Sequence, residues 1–222
     1  QHARVELFYC GSADPAAVAA AFADGLTLPV SSDRYQTEVD VCRINCKPRT
    51  IVEDYPANQG KLTLGLRTGL TGMDEAYPAL MLYAAVLGGY TGSRLFVNVR
   101  EKLSLCYYAS ATLDKVKGLM MIASGIENEK YDQALGEILR QMEDLHAGGL
   151  TRDELEQARR TLISQIRSMG DSPLSLENYW HRQAVPGFTM TPEELIERLE
   201  RVERGQAMAV GRQVALDLIC FM

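Results

Sequence analysis

The sequence predicts an α+β domain, with a largely antiparallel β-sheet packed against several helices. Three observations carry that expectation. Leu62, Leu64 and Leu66 alternate with Thr63, Gly65 and Arg67, the period of two expected of a strand with one buried face. After residue 128 the apolar period lengthens to that of a helix. The closing run from Leu216 to Met222 is apolar again and short enough to return to the sheet as a last strand. Strands placed ahead of a block of helices favour antiparallel pairing.

In chain order, Val5 to Cys10 reads as a short strand. Ser12, Asp14 and Pro15 then offer a cap and an early proline for a helix from Ala16 to Phe22. Residues 37–55 and 61–68 read as strands. Pro78 to Leu87 reads as a compact apolar helix that stops at Gly88-Gly89, where glycine allows a positive φ. Arg94 to Lys102 is expected to make one or two helical turns. The β-rich runs 103–113 and 118–126, joined by the polar stretch that starts at Asp114, predict a hairpin. Leu135, Ile138, Leu139, Met142 and Leu145 form one helical stripe. Leu155, Ala158, Leu162, Ile163, Ile166 and Met169 form a second, with Gly148-Gly149 between them. Thr151 to Glu154 is a capping box for the second helix. Ser172-Pro173 starts a third, and Thr191 to Glu194 caps a fourth. No repeat or linker divides 1–222, so one domain is expected.

The composition is that of a globular chain: 222 residues, 46% hydrophobic and 23% charged. A net charge of −6, with basic residues interleaved among acids, argues against nucleic acid or anionic membrane as a partner. No window approaches the roughly 20 apolar residues of a membrane span, and no leader-like segment opens the chain, so a cytoplasmic setting is expected. Gln1 and the apolar end at Met222 predict a piece of a longer polypeptide. Five cysteines, an odd number, fit a reducing compartment. Cys42 and Cys46 are the only close pair. His2, His146 and His181 are scattered singly, so no metal site is expected in these residues.

The motifs of common chemistries are missing from the sequence. There is no His-Glu-x-x-His or its inverse, no Gly-x-Ser-x-Gly elbow, no Walker A loop and no dinucleotide fingerprint. Cys106 has no histidine near it in sequence and sits in a strand-like run, which makes it a poor candidate nucleophile.

The block from Gly88 to Tyr108 is the most distinctive. It contains Ser93-Arg94-Leu95-Phe96, then Arg100-Glu101-Lys102, then Tyr107 seven residues after Arg100. In that order these residues resemble the C-terminal domain of the pitrilysin/insulinase family of zinc peptidases. The resemblance runs from Val5 to the helix pair ending near Met169 and is closest to the family's inactive-subunit branch.

The resemblance implies the metalloenzyme fold shared by LuxS and mitochondrial processing peptidase. It also implies a peptidase chamber of two halves, one carrying zinc and the other offering Arg and Tyr to a peptide substrate. It carries the supporting catalytic roles to Arg100 and Tyr107, and a substrate-facing role to Gly88, Gly89, Tyr90, Gly92 and Ser93. Zinc would sit in a partner subunit or domain, forming a heterodimeric assembly, and the chain would not be an enzyme alone. Two alternatives stay open: a fragment of a zinc peptidase whose metal motif lies upstream, or an assembly scaffold.

The chemistry suits the roles. A Tyr hydroxyl can donate to the oxygen that becomes anionic when a peptide carbonyl is attacked, and Arg presents forked donors to backbone carbonyls. The plainer reading pairs Arg100 with Glu101 or Glu127 and buries Tyr107 in the core beside Leu105 and Ala109. Tyr108 is the rival to Tyr107 if the strand register differs by one.

Overall fold

The computed structural model describes residues 5–26, 47–54, 59–184 and 186–222. The described residues within Gln1–Glu38 and Arg167–Met190 form one compact unit, and those within Val39–Ile166 and Thr191–Met222 form another. Each unit is discontinuous in sequence, so no linker composition marks either.

In the smaller unit, α1 (Pro15–Gly25) is capped by Asp14, whose carboxylate accepts from the Ala17 N–H at 3.1 Å, with Pro15 in the first turn. Val5 to Cys10 is not a strand, contrary to the sequence expectation. These residues have no ladder partner among the described residues, and Leu7, Phe8 and Tyr9 instead line an apolar groove with Val18 and Phe22 of α1.

The larger unit holds the sheet. Its strands are β1 (Arg49–Val52), β2 (Gly60–Arg67), β3 (Cys106–Asp114), β4 (Leu119–Ile126) and β5 (Ala215–Phe221), ordered β1-β5-β2-β4-β3. Pairing is antiparallel except for β1 beside β5, which is parallel. Of the expected strand 37–55, only Arg49–Val52 is seen as strand. Residues 37–46 and 55 lie outside the described residues, as do Cys42, Cys46 and His2.

Leu62, Leu64 and Leu66 are fully buried, as the alternation requires, and meet Met120, Ile122 and Ile126 of β4 on the same face. Against that face lies α2 (Tyr77–Gly88), of whose twelve residues only Met81 is not buried. A helix apolar all round belongs inside. It ends without the expected positive φ, since Gly89 has φ −90°. Gly88 serves packing instead: a Cβ there would lie 2.6 Å from the Ala111 amide nitrogen of β3, so its hydrogen lets helix and strand touch.

The hairpin between β3 and β4 closes as expected, with Asp114 accepting from the Val116 and Lys117 amides and Gly118 at φ 66°. The two striped helices are α3 (Tyr131–Ala147) and α4 (Arg152–Ser168), and Gly148 ends the first at φ 103°. The Thr151–Glu154 and Thr191–Glu194 boxes both form. They open α4 and α6 (Pro192–Arg201), while α5 (Pro173–Ala184) starts at the expected proline. One helix was not foreseen: α7 (Arg204–Gly211), which carries its own Glu203–Gln206 capping box.

Candidate functional site

Arg100 stands on a π-helix, Leu95–Lys102, the form the expected helical turns take. Wider i→i+5 turns are rare and recur at functional sites. The π-helix closes with Ser104 in the left-handed region at φ 49° and the Leu105 N–H returning to the Val99 carbonyl at 3.0 Å. A left-handed serine is held there by its surroundings. The chain then enters β3, and the register against β4 slips between Cys106 and Tyr108, which pair with Ile126 and Gly125. Tyr107 is therefore the extra residue of a bulge, a device that re-aims a side chain at a sheet edge.

The bulge keeps both tyrosines out of the core. Leu105 and Ala109 are buried at 7% exposure each, whereas Tyr107 is 54% exposed and Tyr108 43%. Tyr108 lies over Gly125, where a Cβ would sit 2.5 Å from its ring. Tyr107 instead lines an open cleft of about 430 Å³ together with Arg100, Glu101, Ser104, Cys106, Glu127 and Lys130.

Within the cleft, Arg100 donates its Nε–H to the Tyr107 carbonyl at 2.8 Å and a second N–H to Glu101 at 3.1 Å. Its guanidinium also lies 4.5 Å from the centroid of the Phe96 ring, a cation–π contact one turn back. Two of its five N–H groups are thus engaged among the described residues, and the rest are available. The Tyr107 hydroxyl donates to Glu127 Oε1 at 3.4 Å. Lys130 donates to the same carboxylate oxygen at 3.1 Å and to the Ser104 carbonyl at 3.2 Å. Burial pushes the Cys106 thiol up, with the Ser124 hydrogen bond and the Arg100 charge pulling less strongly the other way. A thiol held protonated is a weak nucleophile.

The glycine-rich stretch is split. Gly88 and Ser93 are buried, while Gly89 and Gly92 are exposed and Tyr90 half-buried, and none of the five lines the cleft. Behind it, Arg94 is a hub: it donates to Glu154 (2.7 and 3.1 Å), to the Gly149 carbonyl (2.6 Å) and to Asp144. Burial alone would raise the Glu154 carboxyl, but the Arg94 and Thr151 donors outweigh it and hold Glu154 below the usual carboxylate value. The hub ties the start of the π-helix to the junction of α3 and α4. Among the described residues no group of three or more His, Cys, Asp or Glu is placed to hold a metal, and no helix is long and apolar enough to cross a membrane.

Sequence reasoning singled out Arg100 and Tyr107 but gave Lys130 and Ser104 no place, and took Glu127 only as a pairing partner. Hairpin arithmetic offers a signal for Glu127. With Asp114 opposite Leu119, residue 127 falls within one residue of the level of Cys106.

Fold and cleft define an α+β domain with a polar cleft at the edge strand of its sheet. Comparison with known proteins makes the family particular: the chain belongs to the peptidase M16 (pitrilysin/insulinase) family, and the family model described as the Peptidase M16 inactive domain matches residues 3–162. YmfF of Bacillus subtilis (strain 168), described as a probable inactive metalloprotease, is 31% identical over 176 residues, covering 79% of this chain and 41% of that protein. An uncharacterized zinc protease of Mycobacterium bovis, Mb2805c, is 25% identical over 175 residues, covering 78% of this chain and 40% of that protein. The chain thus spans less than half the length of these curated relatives. Among solved structures, a conserved protein from Enterococcus faecalis V583 superposes with a TM-score of 0.77 at 28% identity, covering 94% of this chain and 49% of that one. A protease from Helicobacter pylori shares the fold at a TM-score of 0.80 and 15% identity, covering 94% and 52%.

Proposed function

We propose that this domain forms the metal-free wall of an M16 peptidase chamber and presents Arg100 and Tyr107 to a peptide held against a zinc-bearing partner subunit or domain. The observation that carries the reading is that the two residues share one open cleft, with the Tyr107 phenol exposed on a bulge and Arg100 bonded to its carbonyl. In this role the Tyr107 hydroxyl donates to the developing oxyanion, and the uncommitted Arg100 N–H groups bind peptide carbonyls. Losing one such donor removes roughly 3 kcal/mol of transition-state stabilisation. The exposed part of the glycine-rich stretch, Gly89, Tyr90 and Gly92, extends the peptide-facing surface in this reading, whereas Gly88 and Ser93 belong to the interior. Free Cys10, Cys106 and Cys220 fit the reducing, cytoplasmic setting the reading assumes.

The test is peptide hydrolysis by the full parent chain, alone and mixed with its zinc-motif partner, with Tyr107→Phe and Arg100→Ala in parallel. Activity confined to the mixture, falling by at least about tenfold in both variants, is expected. The zinc-protease names of relatives such as Mb2805c favour a second reading, in which the parent carries its own zinc motif. Activity of the parent alone would select it. A mixture indifferent to both substitutions would reduce the domain to a scaffold.

A further inference from the structure

We infer that Glu127 and Lys130 are positioning residues for the Arg100–Tyr107 pair, an assignment that rests on the chamber role proposed for those two. The Tyr107 hydroxyl has one proton to give, and in the free cleft Glu127 Oε1 receives it at 3.4 Å. That is long for an O–H···O bond, whose usual length is about 2.7–2.8 Å. The same carboxylate oxygen also accepts from Lys130 Nζ at 3.1 Å, so its charge is shared between two donors. The phenol is therefore parked on an acceptor weakened enough to release it. An incoming oxyanion competes against a bond that holds direction with little strength.

Lys130 does a second thing. Its ammonium also donates to the carbonyl of Ser104, the left-handed residue that closes the π-helix carrying Arg100. One cation thus joins the wall that holds Arg100 to the Glu127 carboxylate that orients Tyr107. Both residues lie just past β4, Glu127 directly after it and Lys130 at the end of the single 3₁₀ turn Asn128–Lys130. Their side chains are 44% and 34% exposed. Solvent-accessible side chains of this kind can be replaced with little effect on folding.

The test is a double-mutant cycle in the assembly of full parent chain and zinc-bearing partner. Glu127→Ala is expected to lower kcat about fivefold or more with KM unchanged, because it loosens a group used in the transition state. Glu127→Gln, whose amide oxygen still accepts from the hydroxyl, should recover most of that loss. Lys130→Met should lower kcat as Glu127→Ala does. In a Tyr107→Phe background, Glu127→Ala should cost less than about twofold more, since the group it positions is gone. Multiplicative losses in the double variant would overturn the inference while leaving the Tyr107 role standing, and so would a kinetically normal Glu127→Ala beside an impaired Tyr107→Phe. A Tyr107→Phe enzyme of full activity would remove the Tyr107 role itself, and this inference with it. Unchanged denaturation midpoints for the Glu127 and Lys130 variants are expected, and a kcat loss that tracks a fallen midpoint would assign them to the fold instead.

Discussion

The Nε–H of Arg100 donates to the backbone carbonyl of Tyr107 at 2.8 Å, so the guanidinium is fastened to the bulged residue whose phenol faces the cleft. The bond makes Arg100 part of the geometry of Tyr107 as well as a cation beside it. Arg100→Lys keeps the charge and loses the planar fork that serves the carbonyl, Glu101 and Phe96 at once. Under the proposed chamber role, its kcat/KM in the assembly with the zinc-bearing partner is expected to fall by at least about tenfold, close to the Arg100→Ala value. A Lys variant with near wild-type kcat/KM would show that charge alone suffices.

Gly88 tests the packing beneath the site. A methyl at this position meets the Ala111 amide nitrogen and Cβ at 2.6 and 2.9 Å, both parts of a strand that cannot swing aside. Gly88→Ala is expected to cost about 1–3 kcal/mol, the usual toll of overpacking, despite the better helix propensity of alanine. Urea denaturation measures it, and an unchanged or raised midpoint would contradict the close approach.

How much of this was legible depended on the range of the interaction. Leu62, Leu64 and Leu66 announced their strand because alternation is written into neighbouring residues, and the Thr151 and Thr191 boxes announced their helices for the same reason. Gly88 was legible as a helix end, while its reason lies 23 residues away at Ala111. Period-two counting places Tyr107 with Leu105 and Ala109 in the core. Only the cross-strand register reveals the extra residue that turns it out. The α7 helix stayed hidden because its eight residues hold few large apolar side chains, although Glu203 and Gln206 are spaced as a box. The Arg94 hub joins residues 50 to 60 positions apart that no local pattern connects.

Removing the hub's cation should be expensive. Arg94→Leu leaves Glu154, itself 28% exposed, without its main partner, and is expected to destabilise by about 3 kcal/mol or more in chemical denaturation. Adding Glu154→Leu should recover part of the loss by removing the stranded carboxylate. The recovery stays incomplete because the Thr151–Glu154 capping box, a contribution of about 1 kcal/mol, goes with it. A double variant less stable than Arg94→Leu alone would show that the cap outweighs the unpaired charge.

The burial of His146 predicts a pH dependence of stability whose sign can be worked out. Its imidazole stacks on the buried Tyr83 ring of α2 with centroids 6.3 Å apart, and Nε2 is buried with no hydrogen-bond partner among the described residues. Burial pulls its pKa below the ordinary value, against a smaller upward pull from the Gly211 backbone and the Glu143 charge. The Arg212 guanidinium, bonded to the His146 carbonyl at 3.2 Å, is a further cation nearby. The Tyr83 hydroxyl is held protonated well above its usual range by burial. A histidine whose folded pKa is depressed adds stability that is fully present above its unfolded value of about 6.5 and is lost as pH falls through the lower folded value. Glu154, also depressed, acts only below the ordinary carboxylate value of about 4.3, outside that window. The urea midpoint is therefore expected to fall between about pH 7.5 and pH 5.5, and His146→Phe, which keeps the ring stack without the titrating nitrogen, should flatten the fall. Parallel declines in the two proteins would place the proton uptake elsewhere.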